Sequence, residues 1–216
     1  MQSTARSHAD VISSEVNPTT LDHVALWVTE RDVIADFAVQ QLGMHVIERT
    51  DRFTLVGWDA RRGKLTLFEA EGPRERGGLE HIGLRVPGGR DSVELPDGLM
   101  LTFVDGDGDL DHVALRSPDP EWAAREWLRY GFAPAGPRRV EVGGAFLELV
   151  EGTVDETERP LLNHLSVLVE KAAPAQELGF EVADVVDAPN TFAVFVWGPD
   201  RVKLEYVEHK PGFSLR

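Results

Sequence analysis

The sequence predicts an α+β fold: four βαβββ modules, the second truncated, paired into two half-open curved sheets with the helices outside. Two observations carry that prediction. The phrase LDHVAL at 21–26 returns unchanged at 110–115, with LEHIGL at 79–84 and LNHLSV at 162–167 as variants. After three of the copies a similar run of patterns follows: apolar alternation, then helical spacing, then short strands; the second copy is abbreviated. Self-similarity of this kind marks a duplicated architecture. Its uneven periods and mixed unit exclude a solenoid, which leaves paired modules that close curved sheets.

In the first copy, LDHVALWV alternates as a strand, with His23, Ala25 and Trp27 on one face. Thr29 precedes RDVIADFAVQQLG, whose apolar residues Val33, Ile34, Phe37, Ala38 and Leu42 recur at helical spacing before Gly43. Three strands follow, MHVIER, FTLVGW and KLTLFEAE. The second copy has LEHIGLRV and one closing strand, GLMLTFVD, and lacks a helix and middle strands. In the third, LDHVALRS leads into the Pro-started helix PDPEWAAREWLRYG and the strands FAPAG, RRVEVG and AFLELVEG. The fourth has LNHLSVLVE, a short helix around AAPAQELG, and the strands FEVADVV, TFAVFVW and RVKLEYVE. Residues 1–19 are polar and aperiodic and read as a flexible tail. Neighbouring modules are expected to pair, giving a degenerate N-terminal domain at 20–106 and a C-terminal domain at 108–210.

The bulk numbers narrow the function. A net charge of −15 over 216 residues argues against nucleic acid and anionic membranes as partners. No apolar run is long enough for a membrane span and no signal pattern opens the chain. The lack of cysteine removes disulfides, thiolate metal sites and thiol nucleophiles. A cytoplasmic monomer or homodimer acting on a small molecule is the expectation. No Gly-x-Ser-x-Gly elbow or phosphate loop is present.

Four of the seven histidines, His23, His81, His112 and His164, hold the same place in the repeated phrase. Aligning the closing strands, with PDGLMLTFVD over PDRVKLEYVE and LTLFEAEG placed by its final Glu-Gly, gives a column of Phe68, Thr102, Glu148 and Glu205. A carboxylate between apolar neighbours in mid-strand faces inward, and burial without a partner is costly. His112, Glu148, His164 and Glu205 are therefore candidate ligands for one divalent metal ion, Fe, Ni, Co, Zn or Mn. His23 and His81 lack carboxylate companions in that alignment and read as structural. Arg116, Phe195 and Trp197 are candidate substrate-binding residues, while His45 and His209 read as surface residues.

At these residues the chain resembles the vicinal oxygen chelate superfamily, which includes glyoxalase I, extradiol dioxygenases, methylmalonyl-CoA epimerase and bleomycin-resistance proteins. The resemblance runs from Leu21 to Glu208. It implies a metal held by the first-strand His and the fourth-strand Glu of paired modules. A His-Glu-His-Glu quartet resembles glyoxalase I and implies lyase or isomerase chemistry through a metal-stabilised enolate, with Glu148 or Glu205 as catalytic proton carrier. Four modules in one chain resemble an Fe(II) extradiol dioxygenase, with His112, His164 and Glu205 as the triad, although Phe195 stands where that signature has Tyr. A metal-free small-molecule binding or resistance protein is the third reading.

Overall fold

The computed structural model describes residues 16–154 and 157–215. Among these are two helices and fifteen strands in two sheets. The first module supplies β1 (Thr20–Val28), α1 (Arg31–Leu42), β2 (His45–Arg49), β3 (Phe53–Gly57) and β4 (Lys64–Glu69). The second supplies β5 (Leu79–Val86), β6 (Val93–Leu95) and β7 (Leu99–Asp105), so only one middle strand and the helix are missing. The third has β8 (Asp109–Ser117), α2 (Pro120–Trp127), β9 (Ala133–Gly136), β10 (Arg139–Val142) and β11 (Ala145–Glu151). The fourth has β12 (Leu162–Leu168), β13 (Val182–Asp187), β14 (Thr191–Trp197) and β15 (Lys203–His209), with only a 3-10 turn, Ala173–Glu177, where a helix was expected.

The sheets do not follow the expected pairing of neighbours. The eight-stranded sheet runs β13-β14-β15-β12-β1-β4-β3-β2 and joins module one to module four; the seven-stranded sheet runs β6-β7-β5-β8-β11-β10-β9 and joins module two to module three. A division at 20–106 and 108–210 therefore cuts through both sheets. The links explain the choice. Residues 106–108 are all that separates β7 from β8, too short a chain to leave the sheet, whereas 70–78 and 152–161 can cross between sheets. Both sheets contribute to one hydrophobic core, in which Val24, Leu26 and Val28 of β1 join Ile34, Ala35 and Ala38 of α1. Val16 and Pro18, expected in the tail, are buried, and Pro18 lies where a Cβ on Gly131 would fall.

The repeated phrase has a geometric reason. The first strands of paired modules run antiparallel, setting His23 opposite Ser166 and Ala25 opposite His164, and likewise His81 opposite Ala114 and Gly83 opposite His112. Each imidazole thus needs a small residue across from it, two places after its partner's histidine. The residue before each histidine, Asp22, Glu80, Asp111 or Asn163, is skipped in the register and forms a β-bulge. In three of the four copies the bulge brings its side-chain oxygen to the adjacent imidazole. The tightest fit is at Gly83, where a Cβ would lie 2.1–2.7 Å from the His112 ring. That ring is stacked on Phe146 at 4.8 Å and hydrogen-bonded to Asp111. Gly83→Ala is expected to cost about 1–3 kcal/mol through overpacking; an unchanged denaturation midpoint would show that the ring can move aside.

Candidate metal centre

The four candidate ligands do not converge on one point. The structure forms two clusters: His23, His164 and Glu205 in the eight-stranded sheet, and His81, His112 and Glu148 in the seven-stranded sheet. His23 and His81, read as structural, are members of these clusters, and each cluster has a single glutamate.

In the first cluster, His23 Nε2 lies 3.1 Å from His164 Nε2 and 3.2 Å from Glu205 Oε2, and His164 Nε2 lies 3.4 Å from the same oxygen. His23 Nδ1 donates to Asp22 Oδ1 at 2.7 Å, and His164 Nδ1 donates to Asn163 Oδ1 at 3.1 Å. With both Nδ1 atoms so engaged, the Nε2 lone pairs face each other and a carboxylate oxygen. Glu205 Oε2 is buried and accepts no hydrogen bond. Burial pushes the Glu205 carboxyl up, but positive charge on His23 and His164, whenever those rings are protonated, more than offsets it and draws the group below the ordinary carboxylate range. Burial pushes His164 down, which keeps it neutral and able to ligate. Ligands about 2.0–2.2 Å from a common metal stand roughly 3–3.5 Å apart, the spacing of this triangle. The donor set fits a divalent cation.

The fourth position of this cluster is Thr66, not Phe68. Glu205 pairs with Ser166, two residues after His164, and Thr66 pairs with Ala25, two residues after His23. Thr102 holds the same place in the other sheet, opposite Gly83. Behind His23, the buried Asp22 also meets Lys64 Nζ at 2.8 Å and His209 Nε2 at 2.9 Å. Burial would raise the Asp22 carboxyl, but Lys64, His209 and His23 hold it well below the ordinary range. His209 is therefore a support of the site and not a surface residue.

The second cluster differs. His81 Nε2 and His112 Nε2 are 2.9 Å apart, and His112 Nδ1 donates to Asp111, itself held by Arg85 Nε at 2.7 Å. Burial, and then His112, push His81 down. Glu148, however, is 37% exposed at its side chain and bonded to Arg139 at 3.2 Å. Arg116 is also on this sheet, neutralised by Glu80. Phe195 and Trp197 are on β14, in the same sheet as the first cluster. The Phe195 ring is edge-on to His164 at 5.0 Å, and Trp197 lines a cavity of about 680 Å³ with Trp27, Asn163 and Lys203.

No protein-family profile and no curated sequence matches this chain. Solved structures do. A putative dioxygenase from Bacillus subtilis superimposes with a TM-score of 0.73 at 15% identity, covering 91% of this chain and 87% of its own. Glyoxalase I from Zea mays gives 0.69 at 16% identity, covering 88% and 92%. The cppA protein of Streptococcus pneumoniae gives 0.61 at 14%, covering 89% and 99%. The chain has the vicinal oxygen chelate fold.

Proposed function

We propose that the chain is a metal-dependent enzyme whose centre is His23, His164 and Glu205, and that it is an Fe(II)-dependent dioxygenase acting on a small substrate with two adjacent oxygens. One observation carries this reading: the buried centre offers two imidazoles and one carboxylate, with Thr66 where a second glutamate would stand. Two histidines and a carboxylate on one side of a metal, with the other positions open, is the donor set of non-haem iron oxygenases. The enolate reading needed Glu148 and Glu205 in one site, and their separation into two sheets removes its second carboxylate.

A ferrous ion bound there would supply Lewis acidity towards the substrate oxygens and an electron source for dioxygen. The chain's own groups do the rest. Asp22 and Asn163 fix the two imidazoles with Nε2 directed at Glu205. Phe195 packs edge-on against the His164 ring, and Trp197 lines the cavity that would receive the substrate. The test is oxygen consumption by the Fe(II)-reconstituted protein with a panel of catechols. Uptake that disappears in His164→Ala is the expected result. No uptake, together with deuterium exchange at carbon next to a carbonyl, would replace this reading with the isomerase one.

A further inference from the structure

The two lysines that begin β4 and β15 occupy equivalent places, and only one of them is neutralised. Lys64 and Lys203 each stand two residues before the fourth-strand position, Thr66 and Glu205. Lys64 is buried, with Nζ on Asp22 Oδ1 at 2.8 Å and on the Ala60 carbonyl at 2.7 Å. In the fourth module the residue equivalent to Asp22 is Asn163, an uncharged amide. Its Oδ1 already accepts from His164, which leaves Nδ2, a donor, as the atom it can offer. Among the described residues Lys203 forms no ion pair, and it lies against the Trp197 face at 5.1 Å.

From this difference between the two halves we infer that Lys203 and Asn163 form the anion subsite of the substrate, and that the substrate is an aromatic carboxylate. The inference rests on the metal-centre reading above and adds the substrate class. Lys203 is next to His164 across the β12–β15 pairing, one residue before the Leu165–Leu204 pair, so an anion held there is beside the metal ligands. Lys203 and Asn163 line the same cavity, with the Trp27 and Trp197 rings also in its wall. Its volume of about 680 Å³ suits a compact ring compound. The same cavity is lined by Arg159 and Arg201 and by Glu158 and Asp200, two charges of each sign, so Lys203 leaves it one net positive charge, which matches a monoanion better than a dianionic phosphate. The nearby Arg201 is engaged, lying over Trp197 at 4.2 Å and bonded to Glu181 at 2.9 Å.

The experiment is isothermal titration of the zinc-loaded protein, redox-inert so that no turnover intervenes, with four probes: 3,4-dihydroxybenzoate, 3,4-dihydroxybenzamide, benzoate and benzamide. The carboxylates should bind at least about tenfold tighter than the amides, as a charge-assisted contact implies. In Lys203→Gln that preference should fall below about threefold, with metal content unchanged. An undiminished preference in the variant, equal binding of acid and amide by the wild-type protein, or no binding of any probe would overturn the subsite. The metal reading is tested separately by diol against non-diol: loss of that contrast alone would sink the metal centre and leave the Lys203 subsite standing.

Discussion

Glu205→Ala and His23→Ala should each release the metal, while Glu148→Gln should retain it. In the structure Glu205 shares its triangle with His23 and His164, and Glu148 belongs to the other sheet. Removing one of three protein ligands should weaken binding by more than about 100-fold, beyond what loss of an outer partner costs. Metal content by plasma mass spectrometry, after purification without immobilised nickel, should fall from about one ion per chain to under a tenth in both variants. A titration with added metal should show a second, weaker phase, because Glu148 must leave Arg139 before it can ligate at His81 and His112. Glu148→Gln should abolish that phase alone. If Glu148→Gln stripped the first ion as completely as Glu205→Ala, the two clusters could not be separate sites.

The parts of this centre that could be read from the sequence are those fixed locally. The phrase LDHVAL names the histidine, the bulge residue before it and the small residue after it, because each answers a requirement of one strand pair. Glu148, Glu205 and Thr102 fall in one column because the closing strands pair in the same register with their first strands. Phe68 falls in that column only when the strand is aligned by its Glu71-Gly72 end, and there the chain has already left the sheet. Aligning Lys64-Leu65 with Lys203-Leu204 would have brought Thr66 over Glu205. Which module pairs with which could not be read from the phrase, since its first and third copies are identical and any first strand offers the same edge. That choice is made by chain connection, and the three residues at 106–108 were its only written sign. The fourth module's helix is missing for a local reason: between Pro174, in the first turn, and Gly179 the segment is too short for an α-helix, and a 3-10 turn forms over Ala173–Glu177.

The support behind His23 should prove as important to folding as the ligands are to metal. Asp22 is 1% exposed and Lys64 3% exposed, and Asp22 meets Lys64, His23 and His209 together. Asp22→Asn removes the one charge that neutralises a buried ammonium, and breaking such a pair from one side costs about 3–5 kcal/mol. For a chain of this size the melting temperature should drop by roughly 10 °C. The pH dependence carries a sign. The folded-state pKa of Asp22 is depressed, so its contribution is complete above the unfolded carboxylate value of about 3.9 and is lost as pH falls through the lower folded value. The gap between wild type and variant should therefore begin to narrow below about pH 4 and go on narrowing as the pH falls further. The fourth module already contains the substituted arrangement, Asn163 beside a half-buried Lys203, and it tolerates this because that lysine opens onto a cavity while Lys64 does not. Adding Lys64→Met to Asp22→Asn should then restore most of the loss, since an apolar side chain of similar length leaves no charge unpaired. A double variant less stable than Asp22→Asn alone would mean that the ammonium bonds the Ala60 carbonyl to its own advantage, and that the aspartate serves His23 and His209 instead.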